Sequence, residues 1–194
     1  GALSEMINTT MVHEYPSLPR FPSALAHLYG ELGRERDARA ALDLMMSRDL
    51  AREYLDAEWL FTISLLADPC ARLGDREGAE RLYSMLLPYE SLYAQAPVEA
   101  TFGAIARGLG VLATTLRHFD DAERHFDVAI EIERRMGACP WLAHTQHDLG
   151  AMLLARGASG DSEGALALLE DALATYSELG MDAWATRVEA LAVA

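Results

Sequence analysis

The chain contains no lysine, because all 16 of its basic residues are arginine. This excludes a phosphate loop of the Gly-x-x-x-x-Gly-Lys type, in which the lysine side chain reaches the phosphates. Cysteine is also scarce, since Cys70 and Cys139 are the only two, and a single pair 69 positions apart is neither a zinc signature nor a disulfide framework. We therefore expect a reducing, cytoplasmic setting.

Long apolar runs and an excess of positive charge are missing as well. No apolar run approaches the roughly 18 residues that a membrane-spanning helix needs, so we expect no membrane association. The net charge is −14, which repels polyanions and makes a nucleic acid an unexpected partner. No run of β-branched residues alternates with polar ones, whereas 33 residues are alanine and only 7 are proline. This composition favours helix over strand.

Four segments of the chain share one pattern, in which an apolar stripe, a turn and a second apolar stripe follow one another. Their aligned alanines are Ala38, Ala79, Ala122 and Ala165, at spacings of 41, 43 and 43 residues. In each segment the second stripe has the i, i+3, i+4, i+7 spacing of an amphipathic helix. The short turns require antiparallel neighbours. We therefore predict an all-α fold, a right-handed α-α superhelix of four helical hairpins with an extra helix at each end.

The pattern also sets the approximate bounds of the helices. They are predicted over 3–14, 21–32, 35–48, 54–73, 76–88, 97–116, 119–136, 140–156, 162–179 and 181–192. Pro69 predicts a kink or bulge at about 65–69, since proline cannot donate to the helix ladder. We do not expect the helix to end there, because the apolar stripe continues through Leu73. The leading helix resembles the second half of a hairpin, and the chain starts with Gly1 and Ala2 instead of methionine. We expect a single domain over 1–194 that is a fragment of a longer chain.

The best-defined hairpin carries small and bulky residues at fixed places. They are Gly110, Ala113, Ala122, Phe126 and Ala129. This register resembles the tetratricopeptide repeat, a family of helical hairpins that bind other proteins. The chain departs from the family in its longer period and in its first helices, where Pro22, Ile63, Ala106 and Gln146 replace the family's tryptophan.

A narrower resemblance covers nearly the whole chain. The segments Leu28–Glu35, Leu86–Tyr89 and Pro140–Gln146 look like the C-terminal helical region of large bacterial signalling ATPases. Those proteins have an AAA/NACHT-like core and carry LuxR-type DNA-binding domains or nucleotide cyclase domains. The resemblance implies a sensory or assembly arm and carries over no catalysis to this chain.

Few residues in the sequence suggest chemistry. His144 and His147 are three residues apart on a predicted helix, with Asp148 adjacent, and such a set can contribute metal ligands. No further ligand is evident, so we predict no metal, no cofactor and no catalytic residue. Cys70 lies on an apolar stripe and is interpreted as a small core residue, and Glu133 as a charge on a solvated face.

The first helices of the hairpins should line a concave groove. The groove candidates are His27, Glu31, Ser64, Asp68, Arg72, Arg107, Val111, Thr114, His144 and His147. Arg72 and Arg107 offer two interpretations, either a clamp for a carboxylate of a partner or pairing with neighbouring carboxylates such as Asp68. We favour pairing for these two arginines and partner binding for the groove as a whole.

These observations predict a non-catalytic module for protein–protein interaction. The partner is expected to be a protein or peptide, such as another domain of the parent protein, which would be a cytoplasmic signalling or transcription-regulating ATPase. The alternative is a domain that senses a small-molecule effector. A closed pocket lined by Arg107, His144 and His147 would favour that alternative. An enzyme is the third and most distant interpretation.

Overall fold

A computed structural model describes residues 2–15, 17–50, 52, 58–96 and 100–192. Up to Tyr89 the elements are α1 (Ala2–Glu14), α2 (Arg20–Glu31), α3 (Glu35–Met46), α4 (Trp59–Ser64), α5 (Ala67–Arg72), α6 (Arg76–Leu86) and a 3-10 turn (Leu87–Tyr89). Then come β1 (Tyr93–Ala96), β2 (Ala100–Ala104), α7 (Ile105–Leu116), α8 (Phe119–Met136), α9 (Cys139–Arg156), α10 (Asp161–Glu178) and α11 (Asp182–Ala192). The predicted all-α repeat fold is confirmed. Within these ranges no helix is both long and apolar enough to cross a bilayer.

The chain divides into two compact units. Unit 1 comprises Gly1–Tyr89 and Tyr93–Phe102, and unit 2 comprises Glu90–Leu92 and Gly103–Ala194. Unit 1 contains α1 and two hairpins, α2 with α3 and α4–α5 with α6. Unit 2 contains the hairpins α7–α8 and α9–α10, followed by α11. A single domain over 1–194 stays a prediction.

Small residues lie where the two helices of a hairpin cross. The four aligned alanines are at most 1% exposed. In the third hairpin a Cβ on Gly110 would lie 2.6 Å from the ring of Phe126, and in the fourth a Cβ on Gly150 would lie 3.0 Å from Leu169. The side chain of the second helix thus fills the space that a missing or short side chain leaves on the first.

The long helix predicted over 54–73 is divided. Residues 54–57 lie outside the described residues, α4 ends at Ser64, and α5 begins at Ala67. Pro69 lies in the first turn of α5. A backbone N–H at this position has no acceptor within the helix, so proline removes no helical hydrogen bond there. The helix is therefore distorted within the predicted range, at Leu65–Leu66. The prediction that the helix does not end there is wrong, because one helix ends and another begins at this point.

The prediction that the chain has no strand is wrong. β1 and β2 form a two-stranded sheet, and α7 begins at Ile105 instead of residue 97. In β1 the buried Ala94 and Ala96 alternate with the exposed Gln95. This alternation has the period of two that is typical of a strand. Because the buried residues are alanines, a search for β-branched residues does not detect it.

We expect the substitution Ala122→Leu to destabilise the protein by about 1–3 kcal/mol, because the residue is fully buried at a hairpin crossing. The free energy of unfolding in urea measures this effect. The matched control is Ala167→Leu, which adds the same side chain at an exposed position of α10. Equal stability of the two variants would contradict the hairpin register.

Candidate functional site

Neighbouring first helices in unit 1 pair through equivalent positions. His27 Nδ1 lies 3.6 Å from Asp68 Oδ2, and Arg72 Nη2 donates to Glu31 Oε1 at 2.5 Å. Glu31 and Arg72 are 41 residues apart, which is also the period between the first two repeats. The helices α2 and α5 therefore lie side by side in register, as stacked repeats do.

The Glu31–Arg72 ion pair remains partly open to solvent, whereas Asp68 in the other pair is buried. The exposed fraction is 20% for the Glu31 side chain and 40% for that of Arg72. An ion pair in such a setting contributes at most about 1 kcal/mol to stability. A partner that breaks this ion pair in order to bind Arg72 therefore removes little stabilisation from the chain.

Two phenylalanines form an aromatic cluster with His27. The ring of Phe102 meets the imidazole of His27 edge-on with centroids 4.9 Å apart, and Phe61 lies 6.3 Å from Phe102. Both phenylalanines are half-buried. We name this surface of unit 1 the His27 face. It consists of His27, Glu31, Phe61, Asp68, Arg72 and Phe102.

The first helices of unit 2 instead carry a buried ion pair. Arg107 Nη2 lies 2.8 Å from Asp148 Oδ2, and His147 Nδ1 lies 3.0 Å from Asp148 Oδ1. Burial alone would raise the pKa of Asp148, but Arg107 and His147 outweigh it and hold that pKa below its usual range. Asp148 is therefore ionised, and the Arg107 side chain is only 6% exposed. Arg107 therefore pairs within the chain and offers little accessible surface to a partner.

A second buried acid lies close by, on α8. Glu133 is fully buried, accepts a hydrogen bond from Thr145 Oγ1 at 2.7 Å and accepts another from the Ala104 N–H at 3.4 Å. Burial raises its pKa to about 7, although these two hydrogen bonds and the charge of Arg107 act in the opposite direction. The interpretation of Glu133 as a solvated charge is wrong. Its place on the stripe that contains Phe126 was the signal for burial.

His144 is enclosed by aromatic side chains. Its Nδ1 lies 2.8 Å from the hydroxyl oxygen of Tyr176, and its ring centroid lies 5.3 Å from that of Trp141 and 4.3 Å from that of Trp184. Only 9% of His144 is exposed. No group of three or more metal-type side chains occurs among the residues with described positions. His144 thus acts in packing between α9, α10 and α11.

The remaining groove candidates differ in exposure. Ser64 is buried and donates to the Leu60 carbonyl, whereas Val111 and Thr114 are half-buried, with Thr114 donating to the Gly110 carbonyl. The structure therefore joins four of the unit 1 candidates into two pairs, of which Glu31–Arg72 is partly exposed and His27–Asp68 is mostly buried. It joins Arg107 with His147 through Asp148 in unit 2.

Two open clefts lie away from all of the groove candidates. One in unit 1, of about 230 Å³, is lined by Asp43, Met46, Asp75, Glu77, Gly78 and Arg81. The other, in unit 2, of about 470 Å³, is lined by Arg117, His118, Phe119, Asp120, Asp121 and Arg156. Both are lined mostly by polar and charged side chains, whereas small-molecule sites are mostly apolar.

The Cys70 thiol does not resemble a nucleophile. Cys70 is fully buried, as its position on the apolar stripe predicts, and its Sγ donates to the Asp75 carbonyl oxygen at 3.1 Å. Burial raises the pKa of the Cys70 thiol to about 12. A protonated, enclosed thiol is unreactive. Cys139 is exposed, and its Sγ lies 3.6 Å from the Gly137 carbonyl oxygen.

No family model matches the chain, and no curated protein matches it. Among solved structures, the chain is similar to the crystal structure of BtubC (BKLC) from P. vanneervenii. The likeness covers 91% of this chain and 71% of that chain, at 23% sequence identity and a TM-score of 0.53. At this identity the likeness shows the helical-repeat fold alone.

Glu133 makes stability depend on pH. Its pKa rises from an ordinary 4.5 to about 7 on folding, so between these values the folded chain keeps a proton that the unfolded chain has lost. The contribution of Glu133 to stability therefore falls by about 3 kcal/mol in all as pH rises from about 4.5 to 7, and it does not change further above pH 7. We expect Glu133→Gln to remove this loss.

Urea unfolding at pH 5 and pH 8 checks this expectation. The stability of Glu133→Gln relative to wild type should increase at the higher pH, whereas the control Glu131→Gln, on an exposed position of the same helix, should show no such change. A difference between Glu133→Gln and wild type that is the same at both pH values would contradict the buried, protonated carboxyl.

Proposed function

We propose that the chain is a non-catalytic module for protein–protein interaction that binds a peptide segment on the His27 face. The observation that carries the proposal is the combination, on one surface, of the partly exposed Glu31–Arg72 ion pair, the His27–Asp68 contact in register with it and two half-buried phenylalanines. Aromatic residues and arginine are enriched among the residues that contribute most to protein interfaces. Helical repeats commonly present their first helices for binding.

The chemistry of the face defines the peptide. Arg72 offers a guanidinium that forms charge-assisted hydrogen bonds with a carboxylate, and Phe61 and Phe102 offer contacts for an apolar side chain. A segment with an acidic residue close to an aromatic or aliphatic residue fits both. The net charge of −14 opposes such a segment at long range, so binding depends on short-range contacts and association is not electrostatically accelerated.

We propose further that the partner segment belongs to another domain of the parent protein, a cytoplasmic signalling or transcription-regulating ATPase. The resemblance of the segments Leu28–Glu35 and Pro140–Gln146 to such proteins supports this. Effector sensing has less support, because Arg107 and His144 are nearly fully buried and already bonded to other side chains.

A displayed library of random peptides tests the proposal. Peptides selected on the wild-type chain should contain an acidic and an apolar residue, and Arg72→Ala and Phe102→Ala should each weaken their binding about tenfold or more. This is the loss expected when a charge-assisted hydrogen bond or an aromatic contact is removed. Isothermal titration with synthetic versions of the selected peptides measures the affinities.

The control for Arg72→Ala is Arg36→Ala, which removes the same charge from an exposed position on α3. It should leave the affinities unchanged. Peptides that bind Arg72→Ala and Phe102→Ala as tightly as wild type would contradict the assignment of binding to the His27 face.

A further inference from the structure

The guanidinium of Arg72 is only partly used by the chain itself. Its Nη2 donates to Glu31 Oε1, and within the described part of the chain Arg72 makes no second hydrogen bond or ion pair. A guanidinium carries N–H donors on all three of its nitrogens, so a single bond leaves most of them for another acceptor. Because the Arg72 side chain is 40% exposed, a partner can reach these donors.

The aliphatic stem of Arg72 is placed by a contact that does not involve Glu31. A Cβ added to Gly30 would lie 3.5 Å from Cδ of Arg72 and 3.7 Å from Cβ of Pro69. Because Gly30 has no side chain, the stem of Arg72 lies close to the backbone of α2. The position of the guanidinium therefore does not depend on the ion pair alone.

The charge of Arg72 is already balanced on the His27 face. This face contains the carboxylates of Glu31 and Asp68 and one guanidinium, and His27 adds a positive charge only when it is protonated. With a neutral imidazole the face thus carries more negative than positive charge. A carboxylate that a partner brings to Arg72 meets repulsion from Glu31 at short distance.

We propose that Glu31 is an internal competitor of the partner, because its carboxylate occupies the group of the His27 face that would bind the acidic residue of a peptide. The peptide carboxylate has to displace Glu31 from Arg72 or bind beside it against its charge. Both routes lower the affinity for acidic peptides and leave the affinity for neutral peptides unchanged. This inference rests on the proposed function and names the residue that regulates the site.

The opposite role for Glu31 is to hold Arg72 in place for the partner. In that case the removal of Glu31 would let the guanidinium move and would weaken binding. Two observations favour competition. The contact of the Arg72 stem with α2 at Gly30 remains when Glu31 is replaced, and a partly exposed ion pair restrains a side chain only weakly.

Isothermal titration with a pair of peptides tests the proposal. The first is the tightest-binding acidic peptide from selection on the wild-type chain, and the second has the corresponding amide residue in place of its acidic one. Glu31→Gln should raise the affinity for the acidic peptide about two- to fivefold, the range that corresponds to the loss of an exposed ion pair. It should leave the affinity for the amide peptide unchanged, because that peptide does not compete for Arg72.

The matched control is Glu80→Gln, which removes the same charge from an exposed position of α6. This helix is the second one of the hairpin that contains Arg72, and it contributes no residue to the His27 face. The control should raise the affinity for the acidic peptide less than Glu31→Gln does. Equal gains in the two variants would overturn the proposal, since net charge alone would then explain them. An equal gain for the acidic and the amide peptide would also overturn it.

The remaining outcomes separate this inference from the proposed function. If the selected peptides depend on the His27 face but Glu31→Gln weakens their binding or leaves it unchanged, the proposed function stands and the competitor role of Glu31 is wrong. If the library yields no peptide that depends on the His27 face, both are wrong.

Discussion

The close approach of a small residue on one helix to a bulky residue on the next is the constraint on which the rest of the structure depends. A Cβ on Gly110 would lie 2.6 Å from the ring of Phe126, and the aligned alanines of all four hairpins are almost fully buried. Because this approach fixes how the two helices of a hairpin cross, it also fixes which side chains of each first helix face away from its partner. The polar pairs follow from that placement.

The first helices of the two units carry their charged pairs in different settings. In unit 1 they place Glu31 and Arg72 in a partly exposed pair and His27 against the ring of Phe102. In unit 2 they bury Arg107 against Asp148, close to the buried carboxyl of Glu133. Breaking a buried ion pair costs much free energy because it leaves an unpaired charge in the interior. Replacing an exposed ion pair by a contact with a partner costs little. This difference is the physical reason for proposing that unit 1 binds the partner, since the buried pair of unit 2 stabilises its own fold.

The hairpins could be predicted from the sequence because their signal repeats, and the bounds of α8 agree to the residue. The strand β1 could not, because its alternation is carried by alanine, and the start of α7 was missed with it. The site was less predictable, since exposure depends on neighbours distant in sequence. The burial of His144 depends on Trp184, which lies in the following helix, and that of Glu133 could have been inferred from its place on the apolar stripe.

A double-mutant cycle between Gly110→Ala and Phe126→Leu tests the close crossing most directly, with the free energy of unfolding in urea as the measured quantity. Gly110→Ala alone should destabilise the chain, because the added methyl group meets the Phe126 ring. In the Phe126→Leu background that cost should shrink, giving a coupling energy of about 1 kcal/mol or more. Costs that add within about 0.3 kcal/mol would show that the two side chains do not meet, and would contradict the account.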